Sequence, residues 1–510
     1  MPATVVITTS RTHRLRWWAL AVLTLGLFMA SLDNTILNVA LPTLARELQA
    51  STDQLQWTVD AYQVTYAGLL LVAGGLVDRW GRSRTFLAGT AIFGGFSLIA
   101  GLVSTTGLLI SARALMGVGA ALLAPSTLAL ISSLFSNPKE RTVAFALWSG
   151  ANGAGGAVGP VLSGLLLEHF GWGSVFLINV PVAVVIVVLG FFVLPHSRPH
   201  PVAGGVDYLG AVLSTTALAL ICWAVISAPG LGVTNPLVLA AMLGGLGVLG
   251  AFVYWESRVA VPLLRLSLFK IRTFSVAVGV AGLVTAAGAG ALFVLTQYLQ
   301  FILDFTPMQT GIRVLPVAAA MLVGALSAPR FIHHLQLKRT VLVGLSCVGL
   351  GYGWLATTTD NSAFAHLVPG LLLFGVGAGL LVPAATQAVM DALPPDATGG
   401  GSATNTALMQ VGSALGVAVI GSLLAARYRG VLTAGAIWDE LGDLQSTALE
   451  SVAGAVRAAE QLSSDLGAQL NHLAERGFVA GMEASLWVCA FSVGLAVVCV
   501  LFLYPSDRHR

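Results

Sequence analysis

Long apolar stretches alternate with short polar turns along nearly the whole chain. Each stretch is close to 20 residues, the length that an α-helix needs to cross the hydrocarbon core of a bilayer. The pattern predicts fourteen membrane-spanning helices, near residues 17–41, 56–77, 85–103, 108–134, 143–167, 174–194, 207–228, 236–255, 274–302, 310–331, 340–358, 367–390, 404–426 and 479–503. We therefore predict an all-α integral membrane protein.

The composition excludes a soluble protein. The 510 residues are 56% hydrophobic and only 9% charged, with a mean hydropathy of +0.87. An ordinary soluble domain has about 25% charged residues, and those charges form its hydrated surface. Four cysteines lie inside apolar stretches without CxxC or Cys/His spacing, so neither a zinc site nor a disulfide framework is predicted.

The distribution of Lys and Arg predicts the orientation in the membrane. Cytoplasmic loops of membrane proteins carry an excess of these residues. Most of the 25 Lys and Arg residues fall on one side if the N-terminus is cytoplasmic, which also places the C-terminus inside. The apolar run from Trp17 to Ala30 follows three arginines like a signal peptide, but no small-residue cleavage site follows it. We therefore predict that it remains as the first span.

The spans are predicted to form two bundles of six helices with two further helices inserted between them. Transporters built from structural repeats show such a layout. The predicted units are a cytoplasmic tail at 1–16, a first bundle at 17–195, a linker with the two inserted helices at 196–272 and a second bundle at 273–510. An outer connection at 428–477, with apolar residues at near-helical spacing, is predicted to be a helical hairpin. It either gates the outer mouth or only connects two spans.

The loop after the second span fits the pattern G-x-L-x-D-R-x-G-R-x-R, from Gly74 to Arg84. This string resembles the loop between spans two and three of the major facilitator superfamily. Its glycines permit a tight turn and close packing. Asp78 is expected to accept hydrogen bonds from the neighbouring bundle and so to latch an outward-open state. The residues assigned to this latch are Gly74, Asp78, Arg79, Gly81 and Arg82.

Three ionisable residues are predicted inside the membrane and assigned to proton coupling. Asp33 lies roughly 16 residues, or about 24 Å, along the first helix from Trp17, still within the hydrocarbon region. A charge at that depth needs a partner, a water-filled cavity or a proton. Arg113 is the one cation deep in the first bundle, and Asp60 lies near the outer end of the second span. Asp60 is either part of the proton path or an acid in the first turns of its helix.

Two further strings resemble the fourteen-span drug:proton antiporter branch of that superfamily. One is LDNTILNVALP, from Leu32 to Pro42, and the other is GGAVGPVLSG, from Gly155 to Gly164. In the second, small residues permit close helix packing and the proline removes a backbone hydrogen bond. The residues assigned to this antiporter motif are Gly155, Gly159, Pro160 and Gly164. The resemblance implies export by antiport rather than uptake.

Polar and aromatic residues within the spans are candidates for a substrate cavity. They are Asn34, Asn38, Gln63, Tyr66, Trp148, Phe293, Gln297, Gln387, Asn405 and Gln410. In the branch of that superfamily that exports quaternary ammonium compounds, the thirteenth span usually carries carboxylates. The corresponding stretch Asn405–Gly416 of this chain has none, so the resemblance does not imply a preference for dications.

The sequence thus predicts proton-coupled multidrug or antibiotic efflux by alternating access across the cytoplasmic membrane. An exporter of a lipid or endogenous metabolite with the same fold is the alternative. None of the three lysines follows a glycine, so no G-K-[ST] phosphate loop exists for ATP-driven transport. No catalytic constellation, cofactor or metal site is predicted. The expected partners are lipophilic or cationic small molecules, protons and the lipid bilayer, without nucleic acid, and the protein is expected to be a monomer.

Overall fold

The computed structural model describes residues 10–195, 206–393 and 398–504, and within these ranges every regular element is a helix. The helices are α1 Ser10–Glu47, α2 Thr52–Trp80, α3 Arg82–Leu102, α4 Thr106–Leu134, α5 Pro138–His169, α6 Ser174–Leu177, α7 Asn179–Val193, α8 Tyr208–Leu231, α9 Pro236–Glu256, α10 Arg272–Phe301, α11 Pro307–Leu355, α12 Phe364–Ala392, α13 Thr398–Thr433, α14 Gln445–Glu450, α15 Val452–Ala459 and α16 Ser464–Leu503. Two 3-10 helices lie at Leu266–Lys270 and Trp438–Leu444. The all-α prediction is confirmed.

Several helices begin where the sequence supplies a cap. Asn137 and Asn235 accept hydrogen bonds from the first turns of α5 and α9, and each precedes a proline. Thr306 forms a reciprocal cap with Gln309 at the start of α11. These side chains satisfy backbone N–H groups that a helix leaves free at its N-terminus. The short turns between long apolar helices are therefore encoded locally.

Twelve helices among the described residues are long and apolar enough to cross a membrane. One of them, α11, runs for 49 residues and contains two helices joined at Gln336, whose φ of 69° is not helical. The glycine-rich α5 has 32 residues but is not among the twelve. These two facts are compatible with fourteen crossings, and that number stays a prediction.

Helices α1–α7 pack together as a first half, and α10–α13 with α16 form a second half. In the first half, α1 packs on α5 while α2 and α3 pack on α4; in the second, α10 packs on α13 and α11 on α12. Helix α8 contacts both α2 and α13, and α9 packs on α8. Residues 1–9 of the predicted tail and 196–205 of the predicted linker lie outside the described residues. The predicted domain boundaries stay predictions.

The two halves meet at the side of the molecule where α1 ends and α2 begins, which we call the closed side. Gln300 Nε2 of α10 donates to the Val39 carbonyl of α1 at 2.8 Å. Thr306 Oγ1 donates to Glu168 at the end of α5 at 2.7 Å. The opposite side carries Gly74–Arg84, and we call it the motif side.

The connection between α13 and α16 also reaches across the closed side. Helix α13 continues to Thr433 and α16 begins at Ser464, so the predicted connection 428–477 is partly helix that extends the two spans. Thr52 Oγ1, at the start of α2, donates to the Glu450 carbonyl at 3.0 Å. Arg457 Nη1 donates to the Ala45 carbonyl of α1 at 3.3 Å. The connection therefore covers the loop between α1 and α2.

Candidate functional site

Asp33 and Arg113 form an ion pair in the interior of the first half. Arg113 Nη1 of α4 lies 2.5 Å from Asp33 Oδ2 of α1, and the two side chains are 1% and 0% exposed. In a membrane interior such charges are rare because desolvation is costly, and they occur where a partner is within reach. The structure brings together two of the three residues assigned to proton coupling from the sequence.

Further contacts hold both members of the pair. Asn179 Nδ2 of α7 donates to Asp33 Oδ1 at 3.0 Å, so both carboxylate oxygens have a donor. Arg113 Nε donates to the Thr58 carbonyl of α2 at 3.0 Å, and its guanidinium lies 4.5 Å from the centre of the Tyr62 ring. Four helices thus contribute to one buried network, as the desolvation of two charges requires.

Asn179 is a functional candidate that sequence reasoning missed. It is fully buried and also donates to Ser97 Oγ of α3 at 3.1 Å. A signal was present, because Asn179 is a lone amide in an otherwise apolar segment near 174–194. An amide inside a membrane span needs a hydrogen-bond partner, as Asp33 did.

Asp60 is fully buried, and neither of its carboxylate oxygens has a hydrogen-bond partner among the described residues. One turn earlier on α2, Gln56 Nε2 donates to the carbonyls of Val417 and Ala418 on α13 at 3.2 and 3.0 Å. One turn later, Val64 packs in a cluster with Cys222 of α8 and Ala418. Residues four apart share a helix face, so Asp60 lies where α2 meets α8 and α13.

The polar candidates on α1 and α2 are close together. Gln63 Nε2 donates to Asn34 Oδ1 at 2.9 Å. Asn38 instead donates to the Asn34 carbonyl on its own helix at 3.1 Å, and Tyr66 lies beside Tyr62 with ring centres 5.8 Å apart. The pair Asn34–Gln63 therefore offers polar groups between the two helices, while the side-chain amide of Asn38 is turned back to its own backbone.

The antiporter motif on α5 makes close contacts in two directions. A Cβ atom at Gly155 or Gly159 would come within 2.6 Å of the Phe28 carbonyl or 2.0 Å of Thr35 Oγ1 on α1. At Gly164 it would come within 2.4 Å of Met308 Cα on α11, in the second half. Pro160 lies on the same seam, because a Cβ at Gly311 would meet its carbonyl at 2.3 Å. The motif thus packs α5 both within its half and across the closed side.

The segment from Gly74 to Arg84, predicted as a loop, is helical except at Gly81, where the backbone requires glycine. Gly81 has a φ of 94°, in the left-handed region, and joins α2 to α3. Arg82 Nη1 donates to the Ala129 carbonyl of α4 at 3.2 Å, and Arg79 is exposed. The predicted close packing at Gly74 is wrong for this conformation, because a Cβ there would meet nothing within 4 Å. The side chain of Asp78 lies outside the described residues.

The remaining cavity candidates are not gathered at one place by their contacts. Trp148 Nε1 donates to Thr127 at 3.1 Å within the first half. In the second half Phe293 is fully buried, and Gln297 donates to its carbonyl at 2.9 Å. Asn405 is buried with an unpartnered Oδ1 among the described residues. Gln387 is exposed and Gln410 half-buried, both on the motif-side portions of their helices.

Comparison with known proteins adds a family and close relatives. The model of the Major Facilitator Superfamily matches residues 23–417. The multidrug efflux pump LfrA of Mycolicibacterium smegmatis is 34% identical, over 97% of this chain and 98% of its own length. The tetracenomycin C resistance and export protein of Streptomyces glaucescens is 30% identical, over 96% of this chain and 92% of its own length. By their names, both relatives are efflux or resistance proteins, and the similarity extends over almost the whole length of each.

A solved structure has the same fold. A bacterial homologue of the human lysosomal transporter Spinster, in an inward-facing and unoccupied conformation, superposes with a TM-score of 0.66. The alignment covers 97% of this chain and 99% of that one at 17% sequence identity. At that identity the likeness concerns the fold alone, and it agrees with the two-halved arrangement of helices described above.

Proposed function

Since the chain belongs to the major facilitator superfamily and is a multi-pass membrane transporter, we propose that it exports lipophilic small molecules in exchange for protons. Its two relatives named above are an efflux pump and an export protein by their names. The proposed membrane is the cytoplasmic one, with both termini and the basic motif side inside the cell. The closed side then faces outward.

The observation that carries the proposed proton coupling is the environment of Asp60. An unpaired carboxylate without a hydrogen-bond donor is very unfavourable in a low-dielectric interior, whereas its neutral form is tolerated. Asp60 has no such donor among the described residues and is 0% exposed. We therefore assign the transported proton to Asp60 in this conformation.

The position of Asp60 couples that proton to the conformational change. Asp60 lies next to Gln56, whose hydrogen bonds join α2 to α13 on the closed side. Separation of the two helices would expose the carboxylate to water on that side, where it takes up a proton. The neutral side chain then permits α2 and α13 to pack together again. Proton uptake from outside thus favours the closing of the outer side.

Asp33 and Arg113 have a different role in this proposal. Both Asp33 oxygens already have donors, so the charged form is satisfied without a proton. The pair links α1 to α4, and through Thr58 and Asn179 it contacts α2 and α7. We propose that it transmits the movement of α2 to α1, on which Asn34 faces Gln63.

The driving force is sufficient for drug resistance. One charge moving down a potential of about 100 mV supplies about 2.3 kcal/mol. At one proton for each substrate molecule, that free energy supports a concentration ratio of about 50-fold. No phosphate loop or cofactor is needed for such a cycle.

The proton assignment is tested with Asp60→Asn in proteoliposomes. Asparagine has the shape of the neutral carboxyl group, so the variant is expected to fold and to bind substrate. Substrate-induced proton release should disappear, and the gradient of about 50-fold should collapse. The matched control is Asp53→Asn, which makes the same chemical change at an exposed position of α2. Proton release at the wild-type level in Asp60→Asn would disprove the assignment.

The substrate range is tested by susceptibility profiling of a host that lacks its own efflux pumps. Expression of the chain is expected to raise resistance to ethidium, a lipophilic monocation, and to tetracenomycin C. Methyl viologen, a dication, should not be exported in preference to these two compounds, because the segment Asn405–Gly416 of α13 has no carboxylate. Resistance to one compound alone would indicate a dedicated exporter. Unchanged susceptibility to all would favour the lipid or metabolite exporter instead.

A further inference from the structure

A cavity of 520 Å³ lies between α10, α13 and α16, away from the buried charges of the first half. Its floor is formed by α10, from Ser275 to Ala287, and its walls by α13 and α16. Val419 and Val488, one on each wall, are 42% exposed. Large apolar side chains exposed at this depth in a membrane protein face lipid, so the cavity is a groove open to the bilayer.

The lining of this groove offers almost no polar recognition. Among the described residues that line it, only Ser275, Cys489 and Ser492 carry polar side-chain atoms, and each is already engaged. Ser275 Oγ donates to the Phe269 carbonyl at 2.6 Å, Ser492 Oγ to the Cys489 carbonyl at 2.9 Å, and Cys489 Sγ lies 3.9 Å from the Ala287 carbonyl. The remaining lining residues are glycine, alanine, branched aliphatic residues and Phe269. The occupant in the groove itself must therefore be hydrocarbon.

The length of the groove matches one leaflet of a bilayer. The twelve residue steps from Ser275 to Ala287 correspond to about 18 Å along α10, at about 1.5 Å for each residue. Half of the hydrocarbon core of a bilayer is about 15 Å thick. A chain that enters the groove at its motif-side end thus extends close to the middle of the membrane.

Basic side chains mark the motif-side end of the groove. Arg272, in the first turn of α10, lies on the same helix face as Ser275 and Gly279, three and seven positions later. Lys270 directly follows the lining residue Phe269, and both basic residues are exposed. Neither takes part in an ion pair found among the described residues. Basic groups at the membrane surface attract anionic lipid headgroups.

We propose that this groove binds an anionic glycerophospholipid of the motif-side leaflet. One acyl chain lies along Gly279, Gly282 and Ala286, and the phosphate lies against Arg272 and Lys270. The basic entrance beside an apolar interior matches a lipid with an anionic headgroup and an acyl chain, whereas the same entrance would repel a cationic drug. None of the cavity candidates Asn405, Gln410 and Gln297 lines the groove.

The proposal is tested by native mass spectrometry of the full-length protein, with phosphatidylglycerol and phosphatidylcholine of equal chain length as probes. Wild type is expected to retain phosphatidylglycerol in preference to phosphatidylcholine. Gly279→Phe should weaken phosphatidylglycerol binding at least about tenfold by filling the groove. This substitution is chosen because a Cβ at Gly279 meets nothing within 4 Å. Arg272→Gln should reduce the preference for phosphatidylglycerol and leave phosphatidylcholine binding unchanged.

Matched controls separate a specific site from general effects. Gly247→Phe makes the same change at an exposed glycine of α9 whose surroundings are equally open, and Arg141→Gln removes an exposed charge from α5. Both are expected to bind lipid like wild type. Equal binding by Gly279→Phe and wild type would overturn the proposal. If the KM for ethidium export also rises in that variant while its lipid binding is unchanged, the groove belongs to the substrate path instead.

Discussion

At the scale of single residues, Asp33 and Arg113 each make a hydrogen bond to a further group in addition to their ion pair. Asn179 and the Thr58 carbonyl complete its surroundings, and the Tyr62 ring lies against the guanidinium. Removing one member of such a pair leaves the other charge buried and uncompensated, which costs about 3–5 kcal/mol. Removing both members costs much less, because no charge then remains to be desolvated.

We therefore predict that a single substitution at this pair destabilises the protein more than the double substitution does. Asp33→Asn alone should lower the melting temperature strongly, because Arg113 remains charged. Asp33→Asn combined with Arg113→Gln should recover most of that loss, and export should stay absent in both. The measurement is a double-mutant cycle of thermal stability in detergent that includes Arg113→Gln alone, and the coupling free energy should exceed the loss that Asp33→Asn alone causes. Additive effects of the two substitutions would show that the pair does not stabilise this conformation.

Functional residues could be predicted from the sequence where a charge lies in an apolar span. The hydrogen bonds that such buried groups make, or lack, could not. Asp33 and Arg113 were assigned because an intramembrane charge is costly wherever it lies. The lack of a partner at Asp60 depends on how α2, α8 and α13 pack, and no single span carries that information. The role of Asn179 likewise depends on helix α7 packing beside α1.

At the scale of elements, two bends between helices use the left-handed region of the backbone. Gly81, between α2 and α3, has a φ of 94°, and Gln336, within α11, has a φ of 69°. Glycine adopts these angles readily, whereas a residue with a Cβ is strained by about 1–3 kcal/mol. The hydropathy pattern predicted two spans, at 310–331 and 340–358, with an interruption between them, but hydropathy alone does not locate Gln336 as the residue that bends.

This difference predicts stability changes of opposite sign at the two bends. Gly81→Ala should lower the free energy of unfolding by about 1–3 kcal/mol. Gln336→Gly should raise it by about 1 kcal/mol, since relief of strain exceeds the flexibility that glycine adds to the unfolded chain. The control is Gly74→Ala, within α2 and without neighbours within 4 Å, which should be neutral or stabilising. Melting temperatures that fall for Gln336→Gly would contradict the prediction.

At the scale of the whole molecule, the halves are joined on one side by contacts from several elements. Gln300 reaches Val39, Gln56 reaches α13, and the end of α5 meets the start of α11. The two-halved fold follows from helix number and charge distribution, which the sequence carries directly. The sequence does not show on which side the halves close, because the free energies of two conformations of a transporter differ by only a few kcal/mol.

Alternating access requires that this closed side opens during each cycle, which a covalent bridge should prevent. Thr306, which caps the start of α11, donates to Glu168 of α5 across the two halves, and both residues are exposed. In a variant whose four native cysteines are replaced, we expect Glu168→Cys with Thr306→Cys to be linked by a short thiol-reactive bridging reagent. The reagent is a bis-methanethiosulfonate, which forms a disulfide with each cysteine and releases sulfinate. Export should then stop and return when a reducing agent cleaves these disulfides. Each single cysteine variant, treated alike, should transport normally; export that persists after complete bridging would show that the closed side need not open.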